Sequence, residues 1–130
     1  MAAHDRGDYQ EALDAYKRAE DLAPDIVSRA RLLNSRARTE WYSGRPDAGA
    51  ALWQRVLDAY DELLPQRWEL AAEIAKALTN KAIALYHAGH HEASIVTSDN
   101  VIARFGTATE LPLRELVADA TVLKARLHKC

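Results

Sequence analysis

The sequence contains little that would suit a secreted, membrane-spanning or nucleic-acid-binding protein. Its single cysteine, Cys130, excludes an internal disulfide, which fits a reducing compartment. It has no run of about eighteen apolar residues, the length that a membrane-spanning helix requires. The formal net charge of -2 gives no general attraction to phosphate backbones or anionic membranes. These features predict a soluble, cytoplasmic protein that binds neither nucleic acid nor a membrane.

Aromatic residues are also scarce, at 7% of the 130 residues. Hydrophobic residues nevertheless reach 48% and charged residues 28%, which is the composition of a globular chain. Much of the apolar content is alanine and leucine, and both residues favour helices. A chain of this length suits one domain with a real core, so we predict a single all-α domain over residues 1–130.

Apolar residues recur at intervals of three and four almost throughout, which predicts about six helices. In the first helix Asp8 is the predicted cap, and Pro24 lies just beyond the end. The second helix is predicted from Asp25 to Tyr42. Four of the helices have a clear apolar stripe. In the first it is Tyr9, Ala12, Leu13, Tyr16 and Ala19, and in the third it is Leu52, Val56, Tyr60 and Leu63. In the fourth it is Ala71, Ile74, Ala75, Leu78, Ala82 and Leu85, and in the sixth it is Leu113, Leu116, Val117, Ala120 and Leu123.

Prolines and glycines mark most of the remaining boundaries. Pro46 and Pro112 suit the first turns of the third and sixth helices, where a missing N–H costs nothing. The third helix is expected to stop near Pro65. Gly44 and Gly89 are expected to end the second and fourth helices.

The fifth segment, about His91 to Phe105, is ambiguous on local grounds. Its run from Ser94 to Ser98 contains β-branched residues and few helix formers, which favours a strand. An isolated strand would have no pairing partner elsewhere in the chain. We therefore predict a helix here too, ended by Gly106.

Two constant offsets indicate an internal repeat. Gly7, Gly44 and Gly89 are spaced 37 and 45 residues apart, and each is expected to close one helix before the next. Leu33, Arg36, Ala37 and Trp41 align with Leu78, Lys81, Ala82 and Tyr86 at an offset of 45 residues. Leu70, Ile74, Ala75 and Lys81 align with Leu113, Val117, Ala118 and Lys124 at an offset of 43 residues.

The most distinctive stretch of this pattern is Gly7, Asp8, Tyr9, Gln10, Glu11, Ala12 and Leu13, with Tyr16, Ala19 and Pro24 after it. Small residues such as Ala12, Ala37, Gly49 and Ala82 would let paired helices approach closely, and large ones such as Tyr16 and Trp53 would fill the gap to the next pair. With these features the chain resembles the tetratricopeptide-repeat family. It departs from the family at Arg36 and Lys81, where leucine is usual, and at Ser94 and Ser98. Its spacing also exceeds the usual period of about 34 residues.

The resemblance implies a right-handed α-solenoid of antiparallel helix pairs. It divides the chain into a half repeat (1–24), two repeats (25–65 and 66–106) and a second half repeat (107–130). Solenoids normally carry polar capping helices at both ends. Because neither end has one, we expect a fragment of a longer array, or self-association through uncapped ends.

In this family the opening helix of each pair lines a concave groove that holds a partner peptide. The resemblance therefore implies groove positions Arg31, Asn34, Arg38, Trp41 and Tyr42 on the second helix, Lys76, Thr79, Ile83 and Tyr86 on the fourth, and Asp119, Val122 and Arg126 on the sixth. Arginine and aromatic residues dominate binding energy at many interfaces. Arg31 and Arg38 could grip a carboxylate through paired hydrogen bonds. Alternatively, Trp41 and Tyr86 only fill gaps between helix pairs, and the arginines are solvated.

Catalytic and metal sites are less favoured by the sequence. His87 and His91 have a spacing that can bind zinc, but Gly89 breaks the helix between them and no third ligand is evident. The carboxylates Asp61, Glu62, Glu69 and Glu73 have the pattern of a solvated helix face rather than of an acid–base pair. No nucleophile elbow or phosphate-binding glycine loop is present. We predict no cofactor and no enzymatic activity.

The predicted function is therefore a protein–protein interaction module that binds a partner peptide or helix. The alternative is a sensory or scaffolding segment of a larger bacterial transcriptional or signalling regulator. That alternative rests on analogy between families alone.

Overall fold

The computed structural model describes residues 3–23 and 25–128, with side chains from Gln10 to Leu127. The described residues are all-α, without a strand. Two short 3-10 helices, Asp61–Leu63 and Trp68–Leu70, link the third α-helix to the fourth. The six α-helices are α1 (Ala3–Leu22), α2 (Ile26–Tyr42), α3 (Pro46–Tyr60), α4 (Ala71–His87), α5 (His91–Phe105) and α6 (Leu111–His128).

Helix starts follow the local chemistry of the chain. Asp25 caps α2, because its Oδ1 accepts a hydrogen bond from the backbone N–H of Ser28 at 2.8 Å. This bond stabilises the charged carboxylate and lowers the pKa of Asp25 below its usual value. Pro46 is the first residue of α3, where the helix needs no N–H.

One turn geometry occurs twice. Gly44 and Gly89, 45 residues apart, have φ angles of 86° and 84°, in the left-handed region where glycine is unstrained. The residue after each glycine, Arg45 or His90, donates its N–H to a carbonyl five residues back, at 2.9 Å in both cases. The joint between α2 and α3 therefore has the same hydrogen bonding as the joint between α4 and α5.

The close approach between paired helices is also repeated at this offset. A Cβ added at Gly49 would lie only 2.8 Å from the backbone oxygen of Ala37, so α3 can contact α2 closely there. Forty-five residues later, the buried Ser94 donates its hydroxyl to the backbone oxygen of Ala82 at 2.7 Å. A small residue is thus used at both helix crossings.

The prediction of helix for residues 91–105 is confirmed. Local propensity fails here because this segment is packed: Ser94 and Ser98 are completely buried, and Val101 and Phe105 lie in the main core. Thr97 donates its hydroxyl to the backbone oxygen of Ala93 at 2.8 Å, so its polar group is satisfied within the helix.

The main hydrophobic core extends through the middle of the molecule. Its central, fully buried residues include Leu70, Ile74 and Ala75. Each helix packs against the next one along the chain, and α4 also contacts α2 and α6. A smaller cluster at the C-terminal end joins Ala82 to Leu123 and Leu127. Among the described helices, α4 is therefore the one with neighbours on the most sides.

Two local predictions are wrong. Gly7 does not close a helix and Asp8 does not cap one, because both lie within the continuous helix α1. Glycine inside a helix costs only about 1 kcal/mol relative to alanine, and no proline interrupts the hydrogen bonding there. Leu63 is not on the buried face of α3, since that helix ends at Tyr60 and Leu63 is 41% exposed. Pro24 lies outside the described residues.

None of the described helices combines the length and the apolar character that crossing a membrane would require.

Candidate functional site

Of the twelve groove positions predicted from the sequence, five lie together on one surface: Arg31, Asn34, Arg38, Tyr42 and Lys76. This surface, here called the α2/α4 groove, is a cavity of about 360 Å³ between the two helices. An adjoining cavity of about 450 Å³ shares Ser35, Arg38 and Tyr42 with it and extends to Tyr16 of α1. The α2/α4 groove is lined by Arg31, Asn34, Ser35, Arg38, Tyr42, Glu73, Lys76 and Asn80.

A buried carboxylate holds the floor of this groove. The Glu73 side chain is only 4% exposed. Its Oε2 lies 3.2 Å from Nζ of Lys76 and 3.8 Å from Nε of Arg31. Asn34 donates its Nδ2 to Oε1 of Glu73 at 3.3 Å and to the Glu73 backbone oxygen at 3.0 Å. Polar contacts to α2 and α4 thus offset the cost of burying the charge.

The interpretation of Glu73 as part of a solvated carboxylate face is therefore wrong. Sequence spacing to Glu69 suggested mild repulsion, but Glu69 pairs with Arg67 instead. That interaction lowers the pKa of Glu69. Glu73 belongs to the groove, and its burial could not be predicted from the sequence because its partner Asn34 lies 39 residues away.

The rim of the groove is cationic and open to solvent. The side chains of Arg31 and Lys76 are 62% and 43% exposed although both also contact Glu73. Arg38 is exposed and lies over the ring of Tyr42, with 6.0 Å between its guanidinium carbon and the ring centroid. Three cationic side chains face one carboxylate, so the lining carries a net positive charge. Such a rim suits anionic ligands, and arginine in particular can bind a carboxylate through two hydrogen bonds.

Three predicted groove residues do not line the α2/α4 groove. Trp41 is half-buried, with its ring centroid 5.9 Å from those of Trp53 and His87. Thr79 is buried, with a hydroxyl that lacks a hydrogen-bond partner. Tyr86 packs beside the smaller core cluster and against two histidine rings.

The remaining groove positions lie elsewhere. Ile83 packs with Tyr86 in the same cluster, and the three α6 positions Asp119, Val122 and Arg126 are exposed. Trp41 and Tyr86 therefore contact neighbouring aromatic rings rather than the α2/α4 groove. The stripe of α2 that faces the groove is therefore narrower than the family register implied.

A second and larger cavity lies between α3 and α4. This surface, here called the α3/α4 cleft, has a volume of about 930 Å³ and a mostly apolar lining. It was not predicted from the sequence, because empty space between helices leaves no periodic signal. The cleft is lined by Trp41, Gly44, Pro46, Asp47, Ala50, Ala51, Gln54, Lys81, Ala84, Leu85, His87, Ala88 and His90.

The histidines of the turn after α4 do not form a metal site with their neighbours. His87 contacts Trp41 and Tyr86, and His91 stacks on Tyr86 at 5.8 Å between ring centroids. Over residues 3–23 and 25–128, no three histidine, cysteine, aspartate or glutamate side chains are grouped to hold a metal ion. These imidazoles act as aromatic packing partners.

Comparisons with known proteins identify no relative. No known protein family, no characterised protein and no solved structure matches this chain. Its function must therefore be argued from its own residues and contacts.

Proposed function

We propose that this chain is a helical-repeat module of the tetratricopeptide kind that binds an acidic segment of a partner protein in the α2/α4 groove. The repeat is supported by two matching turns, at Gly44 and Gly89, and by two matching helix crossings, at Gly49 and Ser94. The two turns are 45 residues apart in the sequence, and so are the two crossings.

The packing order supports a stacked array over a closed bundle. Substantial contacts join helices that are neighbours in the chain, and α2, α4 and α6 contact one another in sequence. In a solenoid each unit contacts only its neighbours, so this order is the expected one. On this reading α2 and α4 are the opening helices of successive units, and the groove lies between them.

The main support for the proposal is that exposed cationic side chains surround the buried Glu73 at the floor of the groove. The buried Glu73 holds Arg31 and Lys76 in place through ion pairs, and Asn34 holds Glu73 from the other helix. A partner carboxylate would meet side chains that are already partly ordered, which lowers the entropy cost of binding. The exposed ring of Tyr42 adds an amphipathic contact surface at the same rim.

A peptide display selection against the purified chain would test this. We expect the selected peptides to be enriched in aspartate and glutamate, with an affinity that decreases as salt concentration increases. The double substitution Arg31→Glu and Arg38→Glu should weaken binding of a selected peptide at least about tenfold by fluorescence anisotropy, since charged contacts contribute about 1.5–3 kcal/mol each.

The matched control carries Arg18→Glu and Arg114→Glu, two exposed arginines that do not line the groove. It changes the net charge by the same amount and should bind like the wild type. Circular dichroism should show the same helix content in both variants. Equal binding by the two variants, or a selection without acidic enrichment, would refute the groove as the binding surface.

A further inference from the structure

The α3/α4 cleft is lined by small residues at positions where the α5/α6 interface carries larger ones. On α3 it is bordered by Ala50 and Ala51, and on α4 by Ala84 and Ala88. Of these, Ala84 is buried and Ala51 is exposed, so the alanines extend from the interior to the mouth of the cleft. The volume of about 930 Å³ is at the upper end of the range of about 300–1,000 Å³ that is usual for small-molecule sites.

The equivalent positions of α5 and α6 carry larger side chains. At the offset of 45 residues, Ile95 and Val96 replace Ala50 and Ala51. At the offset of 43 residues, Leu127 replaces Ala84. Ile95 and Leu127 pack together in the smaller core cluster. The cleft is therefore a difference between two otherwise equivalent interfaces, not a general property of this fold.

The charge at this interface differs in the same way. Lys124 of α6 forms an ion pair with Asp99 of α5, and Arg36 of α2 contacts Glu20 of α1 at 4.0 Å. Lys81 is the corresponding cation of α4. The residue equivalent to Asp99 is Gln54, whose amide nitrogen donates to Asp58 on its own helix.

Lys81 thus has no carboxylate where the two neighbouring interfaces have one. Among the described residues it forms no ion pair or hydrogen bond, although it is only partly exposed. It lines the cleft together with Gln54 and the alanines. At the equivalent positions the cleft therefore lacks the apolar bulk of Ile95 and Leu127 and the carboxylate of Asp99, and its one acidic lining residue is Asp47.

We propose that the α3/α4 cleft binds a small amphipathic carboxylate, with its apolar chain against Ala50, Ala84 and Trp41 and its carboxylate on Lys81. Such a ligand supplies the two missing elements in one molecule. Apolar surface of the ligand is removed from water by the alanine walls. The carboxylate forms with Lys81 the ion pair that Asp99 forms with Lys124.

This site is separate from the α2/α4 groove and does not depend on the function proposed for it. Titration calorimetry with decanoate at neutral pH tests the cleft directly, with decan-1-ol as the uncharged counterpart and decyltrimethylammonium as the cationic one. We expect saturable one-to-one binding of decanoate, and binding of the other two that is at least about tenfold weaker.

Two substitutions locate the ligand. Lys81→Gln should weaken decanoate about tenfold and leave decan-1-ol unchanged, and Lys81→Arg should retain most of the affinity. Lys17→Gln, an exposed lysine of α1, is the matched control for charge. Ala51→Trp at the mouth should abolish binding by filling the space, whereas Ala59→Trp, exposed on the same helix and outside the cleft, should not.

Several results would overturn the proposal. The absence of saturable decanoate binding would do so, as would equal affinity for decanoate and decan-1-ol. Binding that survives both Lys81→Gln and Ala51→Trp would place the ligand elsewhere on the molecule. Because Ala51 is exposed and Lys81 unpaired, both variants should keep the helical circular dichroism spectrum of the wild type, so loss of binding would not reflect unfolding.

Discussion

The α2/α4 groove and the α3/α4 cleft each contain a charged side chain of α4 near the apolar core, but the two charges have different surroundings. On the α2 side, Glu73 is buried but surrounded by Asn34, Lys76 and Arg31. At the α3/α4 cleft, Lys81 is partly exposed and forms no ion pair or hydrogen bond with the residues that the structure describes. Glu73 therefore has its polar partners within the protein, whereas Lys81 has no such partner among the described residues.

This difference separates stability from binding. A buried carboxylate with several partners contributes to the folded state, because removing any one partner leaves a desolvated charge. A lysine that reaches solvent and has no partner contributes little, so it can be exchanged at small cost to folding. Asn34 and Glu73 should therefore affect both stability and binding, whereas Lys81 should affect binding alone.

The largest expected change in stability comes from the hydrophobic core on which both the groove and the cleft depend. Ile74 is completely buried in α4, and Ile74→Ala should lower the free energy of unfolding by about 2–5 kcal/mol through lost burial and the resulting cavity. Urea denaturation measures this. Val96→Ala, on an exposed side chain of α5, is the control and should change it by less than about 0.5 kcal/mol. A small effect of Ile74→Ala would mean that the two sides of α4 do not share a core.

A paired substitution separates the two regions directly. Asn34→Ala removes the hydrogen bonds that Asn34 donates to the carboxylate and backbone oxygen of Glu73, and it should lower the free energy of unfolding by about 1–3 kcal/mol. Lys81→Ala should change it by less than about 0.5 kcal/mol, since it removes no ion pair or hydrogen bond. Chemical denaturation of both variants would show the contrast. Equal losses would contradict the assignment of the groove as the structural side of α4.

The smallest expected effect is a pH dependence of stability that comes from the cap of α2, Asp25. The pKa of Asp25 is lowered in the folded chain, chiefly by the hydrogen bond from the Ser28 N–H. Its stabilising contribution is therefore complete above the unfolded value of about 3.9 and is lost as the pH falls through the lower folded pKa. Asp25→Ala should reduce the melting temperature at neutral pH, and the difference from the wild type should shrink below about pH 4. A constant difference across this range would argue against a charged cap.

The sequence was a good guide wherever a single helix determines the outcome. Pro46 and Gly44 act as predicted because a missing N–H and a left-handed φ are local properties. Asp25 was predicted only as the start of the second helix, and the structure shows that it caps this helix. The helix at residues 91–105 was predicted against its local propensity, by the argument that a strand would have no partner. Its buried serines show that packing against α4 overrides propensity there.

The sites were less predictable because they depend on distances between helices. The register placed Arg31, Arg38 and Lys76 on one surface correctly, since they follow the helical period. It could not show that Trp41 faces Trp53 and His87, because a side chain at the edge of a stripe can face either neighbour. The burial of Glu73 and the emptiness beside Ala50 depend on neighbouring helices and leave no local pattern.

The matching joints at Gly44 and Gly89 have a consequence for lengthening the chain. The segment between them carries α3 and α4 and begins and ends at the same backbone geometry. A tandem duplication of that segment would need no newly designed loop, because the copy would enter and leave through a junction that the chain already uses twice. Each added copy would also bring another alanine-lined cleft with its own lysine at the position of Lys81, so the number of clefts would grow with length.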